Sequence, residues 1–186
     1  MRGESMQVID TKFEDVKIIV SDKNRDARGT MEVTFDFSKL ADMGMDFQCK
    51  EQRIYSVEKK GTFYGIHFQA GDHPQKKIVH LLSGRGMDCI VDLRKDSSTY
   101  KEWIAVELVG GDNQYVYIPQ GYGHAFLTLE DNTIQLFTID EHFYEEEAKA
   151  IRYDDPQIGL EFPIEITVMS DKDRNAPLLE QVKIDR

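Results

Sequence analysis

The strongest constraint on this chain is a succession of short strand-like segments, each ended by turn chemistry. Nine segments are rich in β-branched or aromatic residues: 16–20, 30–35, 63–69, 77–82, 87–93, 103–108, 114–119, 124–129 and 133–139. Between them stand SGRG (83–86), GGDN (110–113), PQGYG (119–123) and EDN (130–132). Their glycines and asparagines supply turn conformations that a continuing strand cannot use. Many short strands so punctuated predict a mainly β fold, a jelly-roll sandwich or barrel with a few short helices. The stretch 76–139 is the densest and is expected to form the barrel core. Helix signals are sparse. Ser38 is a candidate N-cap for KLADMG with Gly44 as its stop, residues 176–183 form a second candidate, and 145–153 holds a helical turn.

The 186 residues, 40% of them hydrophobic, suit one domain with a real core. It is expected over 6–186, with residues 1–5 read as a tag remnant. A net charge of −11 argues against nucleic-acid binding, which needs a basic face. It leaves room for a local basic pocket that holds one small anion. No apolar run approaches the roughly 20 residues of a membrane span, and the start lacks a signal-peptide layout. A cytoplasmic protein is expected. Cys49 and Cys89 stand far apart in no metal-binding pattern and read as buried free thiols.

Five histidines are the natural carriers of chemistry: His67, His73, His80, His124 and His142. His67 lies mid-strand in YGIHFQ, and strict alternation puts Phe63, Gly65, His67 and Gln69 on one face and Tyr64, Ile66 and Phe68 on the other. A polar interior suggests a ligand cavity, although a satisfied core histidine fits equally well. His124 follows PQGYG in a P-x-G-x-x-H pattern like the second half of the cupin signature. The first half, HFQ, lacks the second imidazole of an H-x-H pair, so no metal is expected. Lys77 opens an apolar strand and Arg28 sits in the turn DARGT. Each is a surface cation by default and an anion ligand if it faces a cavity.

Taken in order, these segments resemble the dTDP-4-dehydrorhamnose 3,5-epimerase family, whose members are cupin-type double-stranded β-helix barrels. DARGT resembles its D-x-R-G turn, YGIHFQ its LRGLHYQ strand, and KKIVHLLSG its GKLVRVVRG. MDCIVDLRKDSSTYKEW, YIPQGYGHAFLTLED, DDPQIGLEFP and MSDKDRNAPLL each match a further family segment. The resemblance implies a cofactor-independent isomerase. It would take a proton beside the 4-keto group of a nucleotide-diphosphate sugar and return it on the other face through an enolate. It assigns His67 as base, Asp173 as the carboxylate that orients it, and Lys77 as the enolate-stabilising cation. His124 falls near the sugar and phosphates and Gln52 in the nucleoside pocket. Phe143 takes the place of a base-stacking tyrosine. Arg28 is a diphosphate ligand reaching across from the other subunit of a homodimer.

The departures are equally specific. The family's acid, a tyrosine thirteen residues after His124, is here Phe137, which has no proton to give. The arginine of LRGLHYQ is Tyr64, and the family's Q-D-N-H-S reads Gln52-Arg53-Ile54-Tyr55-Ser56. Tyr64, Tyr55, Tyr144 and His142 are the candidate substitute acids. Expected alternatives are a keto-sugar isomerase, or a non-catalytic nucleotide-sugar-binding cupin that has lost its acid.

Overall fold

The computed structural model describes residues 6–184; the segment read as a tag remnant lies outside the described residues. One sheet contains β1 (Gln7–Asp10), β2 (Lys17–Val20), β5 (Glu51–Val57), β7 (Lys77–Ser83), β10 (Gln114–Ile118) and β12 (Thr133–Ile139), in the order β1-β2-β10-β7-β12-β5. The second contains β6 (Thr62–Gln69), β8 (Arg85–Asp92), β9 (Trp103–Val109), β11 (Tyr122–Thr128) and β13 (Ala148–Ile151), in the order β13-β6-β11-β8-β9. A short strand, β14 (Val168–Met169), runs parallel to β6, and β3 (Lys23–Asp26) with β4 (Gly29–Glu32) forms a separate hairpin. From β5 to β12 the chain changes sheet at every connection except β8–β9. That winding is the jelly-roll, or double-stranded β-helix, of cupins. Among the described residues no helix is long and apolar enough to cross a membrane.

Alternation along the strands sorts the core into three layers. In β7, Val79 and Leu81 enter the space between the sheets with Ile90, Val116, Ile118 and Phe126. Ile78 faces the other way, against Ile19, Leu40, Phe47, Tyr115 and Tyr117. The outer face of the second sheet packs Phe63, Ile66, Phe68, Cys89, Val91 and Leu127 beneath the C-terminal segment. Strands buried on both faces explain the near-continuous apolar runs in the sequence.

Several local expectations change. Helix α1 spans Phe37–Asp42 and is capped by Asp36, whose carboxylate accepts from Lys39 N at 3.1 Å, so Ser38 lies inside the first turn. Gly44 does stop it: φ is +82°, and Gly44 N and Met45 N donate to Ala41 O and Leu40 O. The strand expected over 30–35 ends at Glu32. Residues 145–147 turn, but 148–151 become β13, because β6 offers an open edge that backbone pairing satisfies. Residues 176–183 hold only a 3-10 turn at Leu179–Gln181, where Leu179 N is held by Asp155 Oδ2 at 2.7 Å. A short helix α2 (Asp171–Arg174) precedes it. Cys89 is buried, but Cys49 is exposed because it sits in the open segment before β5.

Candidate active site

The site begins with an irregularity in β6. His67 pairs with His124 of β11, but Tyr64 pairs with Phe126, so β6 carries one residue more than its partner across this stretch. Strict alternation would send Tyr64 to the face opposite His67. The bulge instead brings it to the inter-sheet side, where it packs near Phe137 and meets Tyr55 edge-on at 5.1 Å. Phe63, Ile66 and Phe68 share the outer layer.

The same bulge makes room for a carboxylate. On its outer edge β6 pairs with β14 at residues 62–63 and with β13 at 66–69, and Asp173 fits the gap between. A Cβ on Gly65 would stand 2.7 Å from Asp173 Oδ1, so glycine there is a condition of the approach. Asp173 Oδ1 lies 2.5 Å from His67 Nε2. Ser170, the N-cap of α2, donates from Oγ to Asp173 Oδ2 at 2.9 Å and accepts from Asp173 N. Burial pushes the Asp173 carboxyl up, but His67, Ser170 and the Gly65 N–H together hold it below its ordinary value. An ionised partner favours the ring proton on Nε2, which leaves the lone pair on Nδ1. The His67 side chain is 42% exposed and therefore reachable, whereas Asp173 is buried. Sequence reasoning missed Gly65 and Ser170; for Ser170 the available signal was its own place as the first residue of SDKD, three before Asp173.

Lys77 enters from β7. Its Nζ donates to the His67 carbonyl at 3.1 Å and lies 5.5 Å from the centre of the Phe137 ring. Burial pushes its pKa down to about 8, with the nearby Asp88 charge opposing the shift. The ammonium form still dominates at neutral pH, in a setting where a charge is poorly screened. His124 stacks on Phe137 at 5.9 Å with the planes 8° apart, and its Nε2 lies 2.9 Å from Asp88 Oδ1. Asp88 went unnoticed in the sequence, although a carboxylate in the middle of the buried run MDCIVDL was the clue. Among the described residues no three His, Cys, Asp or Glu side chains converge as a metal site would require.

The remaining sequence-derived positions divide. Tyr55 shares the cavity face with Phe137, and their rings are 6.3 Å apart. His142, Phe143 and Tyr144 form a rim segment: His142 Nδ1 bonds Glu51, Phe143 is exposed, and Tyr144 stacks on His73 at 4.0 Å. Gln52 points to the opposite face of β5, with its amide on Thr138 Oγ1 at 3.3 Å. Arg28 lies at the tip of the β3–β4 hairpin, 90% exposed, pairing with Asp26. His80 is a core histidine against Tyr115 on the outer face of β7. An open cavity of about 810 Å³ lined by Gln69, Arg94, Ser97 and Gln120 includes neither His67 nor Lys77 in its walls.

A jelly-roll barrel that gathers a carboxylate-bound imidazole and a buried lysine is a cupin-type protein with the kinds of group that proton abstraction uses. The family model for dTDP-4-dehydrorhamnose 3,5-epimerase matches residues 10–181. The dTDP-4-dehydrorhamnose 3,5-epimerase of Methanothermobacter thermautotrophicus is 35% identical over 176 residues, 92% of this chain and 94% of the relative. Among solved structures, dTDP-6-deoxy-D-glucose-3,5-epimerase from Legionella pneumophila in complex with dTDP-4-keto-L-rhamnose superposes with a TM-score of 0.92. It is 28% identical and covers 98% of each chain. The Bacillus anthracis dTDP-4-dehydrorhamnose 3,5-epimerase with TDP and pyrophosphate bound gives 0.90 at 30% identity, covering 94% of this chain and 99% of its own. This chain belongs to the dTDP-4-dehydrorhamnose 3,5-epimerase family, a family of isomerases.

Proposed function

We propose that the chain epimerises C3, C5 or both of a nucleotide-diphosphate 4-keto-6-deoxy sugar in deoxysugar biosynthesis, without a cofactor. The observation that carries this reading is the His67–Asp173 pair beside buried Lys77. His67 Nδ1 takes the proton from the carbon next to the ketone. The C–H electron pair becomes the enolate double bond, and the carbonyl pair moves onto oxygen, where the Lys77 ammonium stabilises it. Reprotonation from the opposite face inverts the carbon and returns the electrons to it. His124, held by Asp88, orients the sugar.

Phe137 cannot supply the returning proton, so that role falls to the Tyr55–Tyr64 pair. Both rings share the cavity face, and burial, with Tyr55 second, raises the Tyr64 phenol above its ordinary value. Tyr144 and His142 are engaged on the rim by His73 and Glu51 and fit the role less well. Arg28, with its exposed hairpin, suits contact with a second copy, as a homodimer with shared sites requires. A monomer in analytical ultracentrifugation would remove that role.

The test is solvent exchange. Incubated in heavy water with dTDP-4-keto-6-deoxyglucose and its UDP, GDP and CDP counterparts, the protein is expected to deuterate C3, C5 or both of one of them. No exchange with any of the four ends the epimerase reading. His67→Ala is expected to slow exchange by about 10²–10⁴-fold; exchange at the parental rate ends the base assignment. Tyr55→Phe/Tyr64→Phe is expected to keep abstraction and lose inversion; unchanged inversion excludes the pair as acid.

A further inference from the structure

A nucleoside diphosphate asks two things of a pocket, a cation for the diphosphate and a flat apolar surface for the base. This chain offers both at one point of the cavity face. In the β5–β12 register, Arg53 stands opposite Phe137 and Tyr55 opposite Gln135. Phe137 packs between the sheets, so Glu51, Arg53 and Tyr55 share its side while Gln52 and Ile54 turn away. The Arg53 guanidinium lies 5.0 Å from the centre of the Phe143 ring, which is 44% exposed.

This arginine is positioned. Glu51 accepts from its Nε at 3.1 Å and Nη2 at 2.7 Å, and the same carboxylate accepts from His142 Nδ1 at 3.0 Å and Phe143 N at 3.2 Å. The Arg53 Nη1 group has no partner among the described residues. Buried Gln69 and Gln75 donate to the His142 carbonyl at 2.9 and 3.1 Å and anchor the rim beneath it. Two neighbouring cations are paired elsewhere, Lys50 with Glu141 and Lys76 with Asp140, and Lys77 is assigned to the enolate.

We propose that Arg53 is the diphosphate-binding, specificity-determining residue of this site, its Nη1 donating to phosphate oxygen beside Phe143 as the surface for the base. The inference rests on the nucleotide-sugar reading above. Measured against the family motifs, a positive charge has left position 64 on β6 for position 53 on β5, where the motif carries aspartate. Tyr64 touches Tyr55, the residue that follows Arg53 on the same face of β5.

Calorimetric titration of the full chain with TDP, UDP, GDP and CDP, then with the monophosphate of whichever binds tightest, tests this. Arg53→Gln is expected to weaken the diphosphate about 10–100-fold and the monophosphate less than about 3-fold. Arg53→Lys, which keeps the charge near Glu51 but not the forked donor, is expected to fall between. Adding Tyr64→Arg to Arg53→Gln is expected to recover most of the loss. Unchanged diphosphate affinity, or equal loss for both nucleotides, overturns the assignment. If the parent binds none of the four diphosphates, the nucleotide-sugar reading fails and the inference falls with it.

Discussion

Asp88 and Asp92 lie four residues apart on one face of β8, and neither is exposed to solvent. Asp92 is saturated. Its oxygens accept from Arg94 N, Nε and Nη2, Ser97 Oγ and Thr99 Oγ1, at 2.6–3.0 Å. Burial alone raises its pKa, but these five donors bring it down to about 2. Among the described residues Asp88 Oδ1 bonds His124, and Asp88 Oδ2 has no hydrogen-bond partner. The saturated carboxylate ties the β8–β9 connection together. The half-satisfied one spends its charge on a site, where it supports the Lys77 ammonium and orients an imidazole. An unpaired buried carboxylate oxygen costs stability, and its persistence points to function.

Breaking this comparison at its functional end has the largest effect. Lys77→Met is expected to lower the exchange rate by about 10³-fold or more, since an enolate loses its counter-charge in a poorly screened site. The same change is expected to raise stability near neutral pH by about 1–3 kcal/mol. The sign follows from the shift. The folded pKa of about 8 lies below the free value of 10.5, so burying the ammonium costs stability below pH 8, and the cost fades as pH rises towards 10.5. Denaturant unfolding at pH 7 and pH 10 checks both.

Next comes the structural end. Asp92→Asn is expected to cost about 2–3 kcal/mol in urea unfolding while exchange per folded molecule stays within about 2-fold. Asp88→Asn is the converse: a loss of about 10–100-fold in kcat/KM with stability within about 1 kcal/mol. Because the Asp88 charge raises the Lys77 pKa, its removal is also expected to move the alkaline limb of the rate profile to lower pH. If Asp88→Asn destabilises as much as Asp92→Asn, the two carboxylates are alike and the comparison fails. The smallest effect is in acid. The folded pKa of Asp92 lies below its free value, so its contribution is present above about pH 4 and is lost as pH falls towards 2. Acid titration of stability is expected to flatten by about 2 kcal/mol in Asp92→Asn across that window.

Most of the barrel strands, their turns and the barrel class were legible in the sequence, because β-branched runs and glycine turns are local properties; β5, which carries Arg53 and Tyr55 among polar residues, was not among the expected strands. His67, Asp173 and Lys77, which the fold brings together, were singled out through motifs in register, as was the phenyl ring of Phe137 beside them. Gly65, Ser170 and Asp88 were not. Gly65 and Asp88 act through partners distant in sequence, Asp173 and His124, and Ser170, although only three residues from Asp173, acts on a carboxylate whose place beside His67 is set by the fold.

By itself the sequence determined that this chain makes short strands, that they close as a jelly roll, and which reactive side chains it brings. Tertiary structure alone decided which way those side chains face. A period-2 rule holds only while a strand stays in register, and one extra residue near Gly65 turned Tyr64 from the outer layer into the cavity. Pairing with β12 aimed Arg53 inward and Gln52 outward, and the open edge of β6 drew 148–151 from a helical turn into a strand. Facing is set by long-range register, which no local window of sequence contains.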